Sequence, residues 1–154
     1  MTTFLFILML TVFISYVSFI WIRYGVQKSI SDSYYRLPEK SKYLFTYFCW
    51  GFAFPAAILA HNIWITPAAM LICLVGVARD FKNIKVLKFF HMFAAYTGVL
   101  LSQIGIWVYY DMWYLTISFI IISGTLYILN VKNKIWWIEL LAFGMICFIL
   151  GINL

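Results

Sequence analysis

The chain has 154 residues, of which 66% are hydrophobic and only 10% charged, with a net charge of +6 and a mean hydropathy of +0.97. A soluble domain is roughly 45–50% apolar and about 25% charged, so this chain has too few polar groups to cover a water-facing surface, and disorder is excluded because it needs low hydrophobicity. The aromatic residues gather at the ends of apolar runs rather than among the basic ones, which excludes a nucleic-acid-binding patch and leaves a polytopic membrane protein.

Six apolar runs approach the roughly 20 residues that a transmembrane helix needs: 4–22, 43–60, 63–78, 89–109, 112–130 and 135–153. The first has no basic stretch before it and no small-residue cleavage site after it, so it reads as a retained span rather than a signal peptide. The second contains Pro55, which is expected to kink it. The third is the shortest. Its Thr66-Pro67 pair has the form of an N-cap followed by a proline at the first helical position, and a helix starting there needs a thinned bilayer or a snorkelling Arg79 to cross. In the fourth, Ala94, Gly98 and Ser102 recur every four residues, as do Cys49, Ala53 and Ala57 in the second. Such small-residue stripes let membrane helices approach closely, so they are expected to face other helices while Leu100 and Ile104 turn toward lipid. Cys49, Cys73 and Cys147 all lie in apolar runs and read as small hydrophobes. No Cys/His group has zinc-ligand spacing, and no metal or cofactor is implied.

The basic residues set the expected topology. The loop between the first two runs holds Arg23, Lys28, Arg36, Lys40 and Lys42; the loop after the third holds Arg79, Lys82, Lys85 and Lys88; the loop after the fifth holds Lys132 and Lys134, and together these are all 11 Lys and Arg residues. The turns at His61-Asn62 and Tyr110-Asp111 hold none. By the positive-inside rule the three basic loops are cytoplasmic and both termini are outside. Trp21, Tyr24, Tyr43, Tyr47, Trp136 and Trp137 then form an inner aromatic belt, and Trp64, Tyr109, Tyr110, Trp113 and Tyr114 an outer one.

Five residues at the basic end are candidates for a binding site: Ser31, Asp32, Asp80, His91 and Glu139. Glu139 lies one turn inside the last run, where a carboxylate is costly unless it pairs or faces a wet cavity. Its expected partner is His91 or a loop lysine or arginine. His91 lies on the small-residue face of the fourth run, so the two are expected to line one cavity open to the cytoplasm. Asp80 is expected to pair with the adjacent Arg79. Gln103 sits in apolar sequence and needs a partner. The first loop is the most polar stretch. The loop reads as an interfacial hairpin, in which Ser31 or Asp32 is expected to cap a short helix and Tyr34 and Tyr35 to anchor among lipid headgroups; the alternative is a polar lid over the inner mouth of the bundle, which with Asp80, His91 and Glu139 would bind a lipid headgroup or a cation. No nucleophile-elbow motif accompanies these residues, and no catalytic residue is assigned.

Two patterns carry a resemblance. The stretch Ser29-Ile30-Ser31-Asp32-Ser33-Tyr34-Tyr35-Arg36-Leu37-Pro38, followed by Phe48-Cys49-Trp50-Gly51-Phe52-Ala53, resembles a set of small uncharacterised polytopic membrane proteins of bacteria and their phages, which implies an inner-membrane location. More distantly, a Ser-Asp pair after the first span, a charged turn after the third and a histidine opening the fourth are similar to the Frag1/DRAM-like six-span proteins, which are linked to lipid and membrane homeostasis. That resemblance implies roles for Ser31, Asp32 and His91, and it implies a non-cytoplasmic first loop, opposite to the side given by the basic residues. The expected fold is an all-α, single-domain bundle of six transmembrane helices, with N-out and C-out termini. The expected function is non-enzymatic binding of membrane lipids, of a membrane-protein partner or of a second copy of the chain, with no nucleic acid. The alternatives are a small transporter or channel using Glu139, His91 and Gln103, and a membrane-embedded enzyme acting on lipid.

Overall fold

The computed structural model describes residues 1–154. It is all helical: α1 (Thr2–Tyr24), α2 (Tyr43–Ala60), α3 (Ile65–Val77), α4 (Lys85–Val108), α5 (Trp113–Ile128) and α6 (Lys134–Ile152), with short 3-10 helices at Ser31–Tyr35 and Glu39–Ser41. Each α-helix falls on one of the six apolar runs. α4 starts at Lys85, earlier than hydropathy alone suggests, because lysine is a good helix former and its long stem lets the charge leave the apolar zone. Four segments, Thr2–Tyr24, Glu39–Ala60, Lys85–Val108 and Lys134–Ile152, are long and apolar enough to cross a membrane. α3 and α5 are shorter, at 13 and 16 residues. At 1.5 Å per residue α3 is about 20 Å long, against a hydrocarbon core of about 30 Å.

Side-chain contacts fix the helix directions. Tyr16 stacks on Phe48 with ring centres 4.4 Å apart, and Phe13 meets Phe52 edge-on at 5.9 Å, so α1 and α2 are antiparallel. Thr46 near the start of α2 donates to the Gly76 carbonyl near the end of α3, while Thr66 near the start of α3 donates to the Ala57 carbonyl. The Thr116 hydroxyl at the start of α5 donates to the Gln103 carbonyl near the end of α4 at 3.1 Å. Trp21 against Trp137 and Phe13 against Phe143 close α6 back onto α1. Neighbouring helices thus alternate in direction, and the three basic loops share one end of the bundle while the termini and the two uncharged turns share the other.

The start of α3 differs from the expected Thr66-Pro67 cap. The helix begins two residues earlier, at Ile65, and Asn62 holds its first turn. The Asn62 side-chain oxygen accepts from the amides of Trp64 and Ile65 at 3.0 and 2.7 Å, which satisfies two of the amides a helix start leaves free. Thr66 instead bonds across to α2, and Pro67 sits inside the first turn, where no helical partner is lost.

Lipid tails are as apolar as leucine, so close packing rather than exclusion of water must hold such helices together. Small residues provide it. A Cβ on Gly76 would lie 2.7 Å from Cys49 Cβ, and one on Gly105 would lie 2.7 Å from Ile65 Cγ1. Ala94, Gly98 and Ser102 are buried and Leu100 is 60% exposed, while Ile104 is only half-buried. α5 is peripheral, with Thr116 and Phe119 its only buried residues. Apolar side chains such as Phe4, Ile14, Phe93, Leu100 and Ile121 cover much of the outer surface, far more than a water-soluble monomer carries.

Candidate functional site

The first loop is folded across the basic end of the bundle. The Ser33 hydroxyl donates to the Ile30 carbonyl and shares a 2.6 Å hydrogen bond with the Tyr16 hydroxyl of α1. Arg36 Nε donates to Gln27, whose own amide donates to the Tyr24 and Gly25 carbonyls. The loop is further joined to α6 in both directions. The Ile30 amide donates to Glu139 Oε2 at 2.5 Å, and the Trp136 amide donates to the Lys28 carbonyl at 3.2 Å. Each element thereby satisfies a backbone amide that the other's helix start leaves free. Asn133 adds a bond to the Val26 carbonyl at 2.9 Å.

The partner of Glu139 is therefore a backbone amide, not His91 or a basic side chain. The short helix is not capped by Ser31 or Asp32 either. Ser29 Oγ accepts from the Asp32 amide at 3.0 Å, and Glu139 takes that of Ile30. Tyr34 is buried and Tyr35 half-buried, so neither is a headgroup anchor. The Tyr35 hydroxyl accepts from the Lys82 amide at 2.7 Å and donates to the Arg79 carbonyl. Burial pushes its pKa above the ordinary value, partly offset by that amide, which keeps the donor proton in place. Asp32 pairs with Lys82 at 2.8 Å. Asp80 bonds Asn83, and Arg79 bonds Thr46 on α2; the adjacent Asp80 and Arg79 do not pair, because each finds a partner from its own turn or from the facing helix. Trp136, expected in the aromatic belt, is fully buried, since its backbone is drawn under the loop.

His91 is buried beneath the loop between α3 and α4. Its Nδ1 lies 3.2 Å from the Ala78 carbonyl, and its ring stacks on Phe81 at 3.9 Å. It closes the C-terminal end of α3 and faces neither principal cavity. The five candidates are thus divided. Ser31 and Glu139 line a small internal cavity of about 70 Å³ between α2, α3, α4 and α6. Asp32 and Asp80 belong to a loop network, and His91 to a packing contact. No group of three His, Cys, Asp or Glu side chains converges as metal ligands would.

A second cavity, of about 550 Å³, lies between α4, α5 and the start of α6. Its mouth is flanked by Tyr96, Leu100, Ile120 and Tyr127, all exposed on the bundle's outer surface, so it is a lateral groove. Gln103, Thr116, Ser123 and Glu139 are polar points in an otherwise apolar lining. Both side-chain atoms of Gln103 and the hydroxyl of Ser123 are buried without a hydrogen-bond partner. The sequence marks Gln103 as needing a partner. The groove itself escapes sequence reasoning, although Thr116 and Ser123 lie seven residues apart on one face of α5. No protein-family model, curated protein or solved structure matches the chain.

Proposed function

We propose that the chain is an integral protein of a bacterial inner membrane, with six spans, the basic end in the cytoplasm and both termini outside, and that it binds a lipid in the lateral groove rather than carrying out covalent chemistry. The observation that carries this reading is the groove. It runs from Ala95 to Val108 along α4, about 20 Å at helical rise, which exceeds the roughly 15 Å of one leaflet's share of the hydrocarbon core. Its volume lies within the roughly 300–1,000 Å³ of ligand pockets, and its mouth opens where lipid chains would lie. An enzymatic reading loses support because His91 bonds a backbone carbonyl and not a serine. α3 and α5 cross as short spans because α3 is sheltered between α2 and α4 and the bilayer thins to meet them.

The test is photolabelling in vesicles with a diazirine-bearing fatty acid. Label should concentrate on α4 and α5 peptides carrying Leu100 and Ile120, over equally lipid-exposed positions such as Phe4 and Ile22. Uniform labelling would overturn the groove as a site. One observation favours transport as a second reading: Glu139 lines both the internal cavity and the groove, which places one carboxylate between two compartments. Ion flux through reconstituted protein that is lost in Glu139→Gln would select that reading.

A further inference from the structure

We infer that the groove selects a single-chain amphiphile with a neutral, hydrogen-bonding head, and that Gln103 is the residue that reads the head. This rests on the groove being a lipid site. Gln103 is 94% buried, at 6% exposure, and projects into the groove lining. Its Nε2 donor and Oε1 acceptor are both unpartnered. A hydrocarbon chain alone leaves both groups unpaired in an apolar setting, which is costly. A head with one acceptor and one donor satisfies them together. A primary alcohol, a monoacylglycerol or a protonated fatty acid all carry that pair.

Charge and depth narrow the class. The groove lining contains no basic side chain, and its one carboxylate, Glu139, is engaged by the Ile30 amide. A phosphate head would therefore be desolvated without a counter-charge, and an ammonium head beside Gln103 would find its only carboxylate, Glu139, at the opposite end of the groove. Gln103 lies five residues before the end of α4, about 7 Å along the helix axis, at a depth that suits a head just below the outer interface. Ser123 lies seven residues beyond Thr116, which bonds the Gln103 carbonyl, so it lies about 10 Å further toward the basic end. Its unpartnered hydroxyl offers a second point of contact below the head, and the apolar chain runs on toward Tyr127 and Ile135.

The test is equilibrium binding of tritiated 1-oleoylglycerol to the full-length protein in detergent, with 1-octadecene and dioleoylphosphatidylcholine as competitors. We expect 1-oleoylglycerol to bind at least about tenfold more tightly than either competitor. We expect Gln103→Leu to weaken it by about tenfold, the ratio set by one lost hydrogen-bonded pair, and to bind 1-octadecene at least as tightly as the parent does, because the unpaired amide is gone. Retained octadecene binding also reports that the variant is folded. Equal affinity for octadecene and oleoylglycerol in the parent protein would overturn head recognition and leave the lipid groove standing. Equal affinity for the phosphatidylcholine would overturn the neutral-head class. Binding of none of the three would overturn both this inference and the groove.

Discussion

Glu139 and Gln103 are both polar residues set in apolar sequence, and they resolve that conflict in opposite ways. Glu139 is satisfied within the chain, by the Ile30 amide. Glu139→Leu removes the acceptor and leaves that amide unpaired, which should cost about 1–3 kcal/mol and open the first loop to trypsin at Lys28 and Arg36. Glu139→Gln keeps an acceptor oxygen and should lose less. Thermal melting and limited proteolysis in detergent check both; equal losses in the two variants would show that charge, not the acceptor, matters. His91→Phe keeps the stack on Phe81 and loses only the bond to Ala78, so it should cost about 1 kcal/mol, and His91→Ala should cost more because the stack is lost as well. The sequence showed that Glu139 needed a partner but not which one. A backbone amide carries no residue signature, and Ile30 is 109 positions away.

At the scale of the helices, the small-residue stripes were legible because their spacing alone places them on one face. The stripe of Ala94, Gly98 and Ser102 is buried as expected. What spacing cannot show is how close the neighbour comes. Gly76→Ala meets Cys49 Cβ at 2.7 Å, and both atoms sit next to backbone that cannot swing away, so it should destabilise by about 1–3 kcal/mol. Gly124→Ala on α5 meets nothing within 4 Å and should gain roughly 0.5–1 kcal/mol from helix propensity. Unfolding of the two variants in mixed micelles by denaturant separates these outcomes, and a Gly124→Ala loss equal to that of Gly76→Ala would place α5 in a tight contact. The lateral groove follows from the peripheral seat of α5, and that seat was not legible. The long runs differ in mean hydropathy, from 2.4 for α1 to 1.4 for α4, but nothing in the pattern of α5 itself marks it as the outer helix.

For the whole molecule, charge was the strongest signal. The loops that hold every Lys and Arg lie at one end of the bundle, and an antiparallel order of helices follows from that arrangement alone. The sided prediction is that an impermeant maleimide added to intact cells labels Ile63→Cys, at the uncharged end, and not Lys40→Cys or Lys85→Cys, at the basic end. The native cysteines are buried or half-buried in α2, α3 and α6, so the parent protein sets a low background. The reverse pattern would move the first loop outside, as the Frag1/DRAM-like resemblance implies.

The reciprocal bonds between the first loop and α6 also impose an order on biosynthesis. They join residues 26–30 to residues 133–139, so this part of the loop's attachment forms only after the last helix has left the ribosome, later than its bonds to Tyr16, Arg79 and Lys82. At roughly 5–20 residues per second, that interval is about 5–20 s. Throughout it the Ile30 amide and the Lys28 carbonyl are without their partners on α6. Insertion of α6 is then the step that seals the protein. A chain that stalls before Asn133 lacks every bond between the first loop and α6, and holds that loop only by its bonds to Tyr16, Arg79 and Lys82.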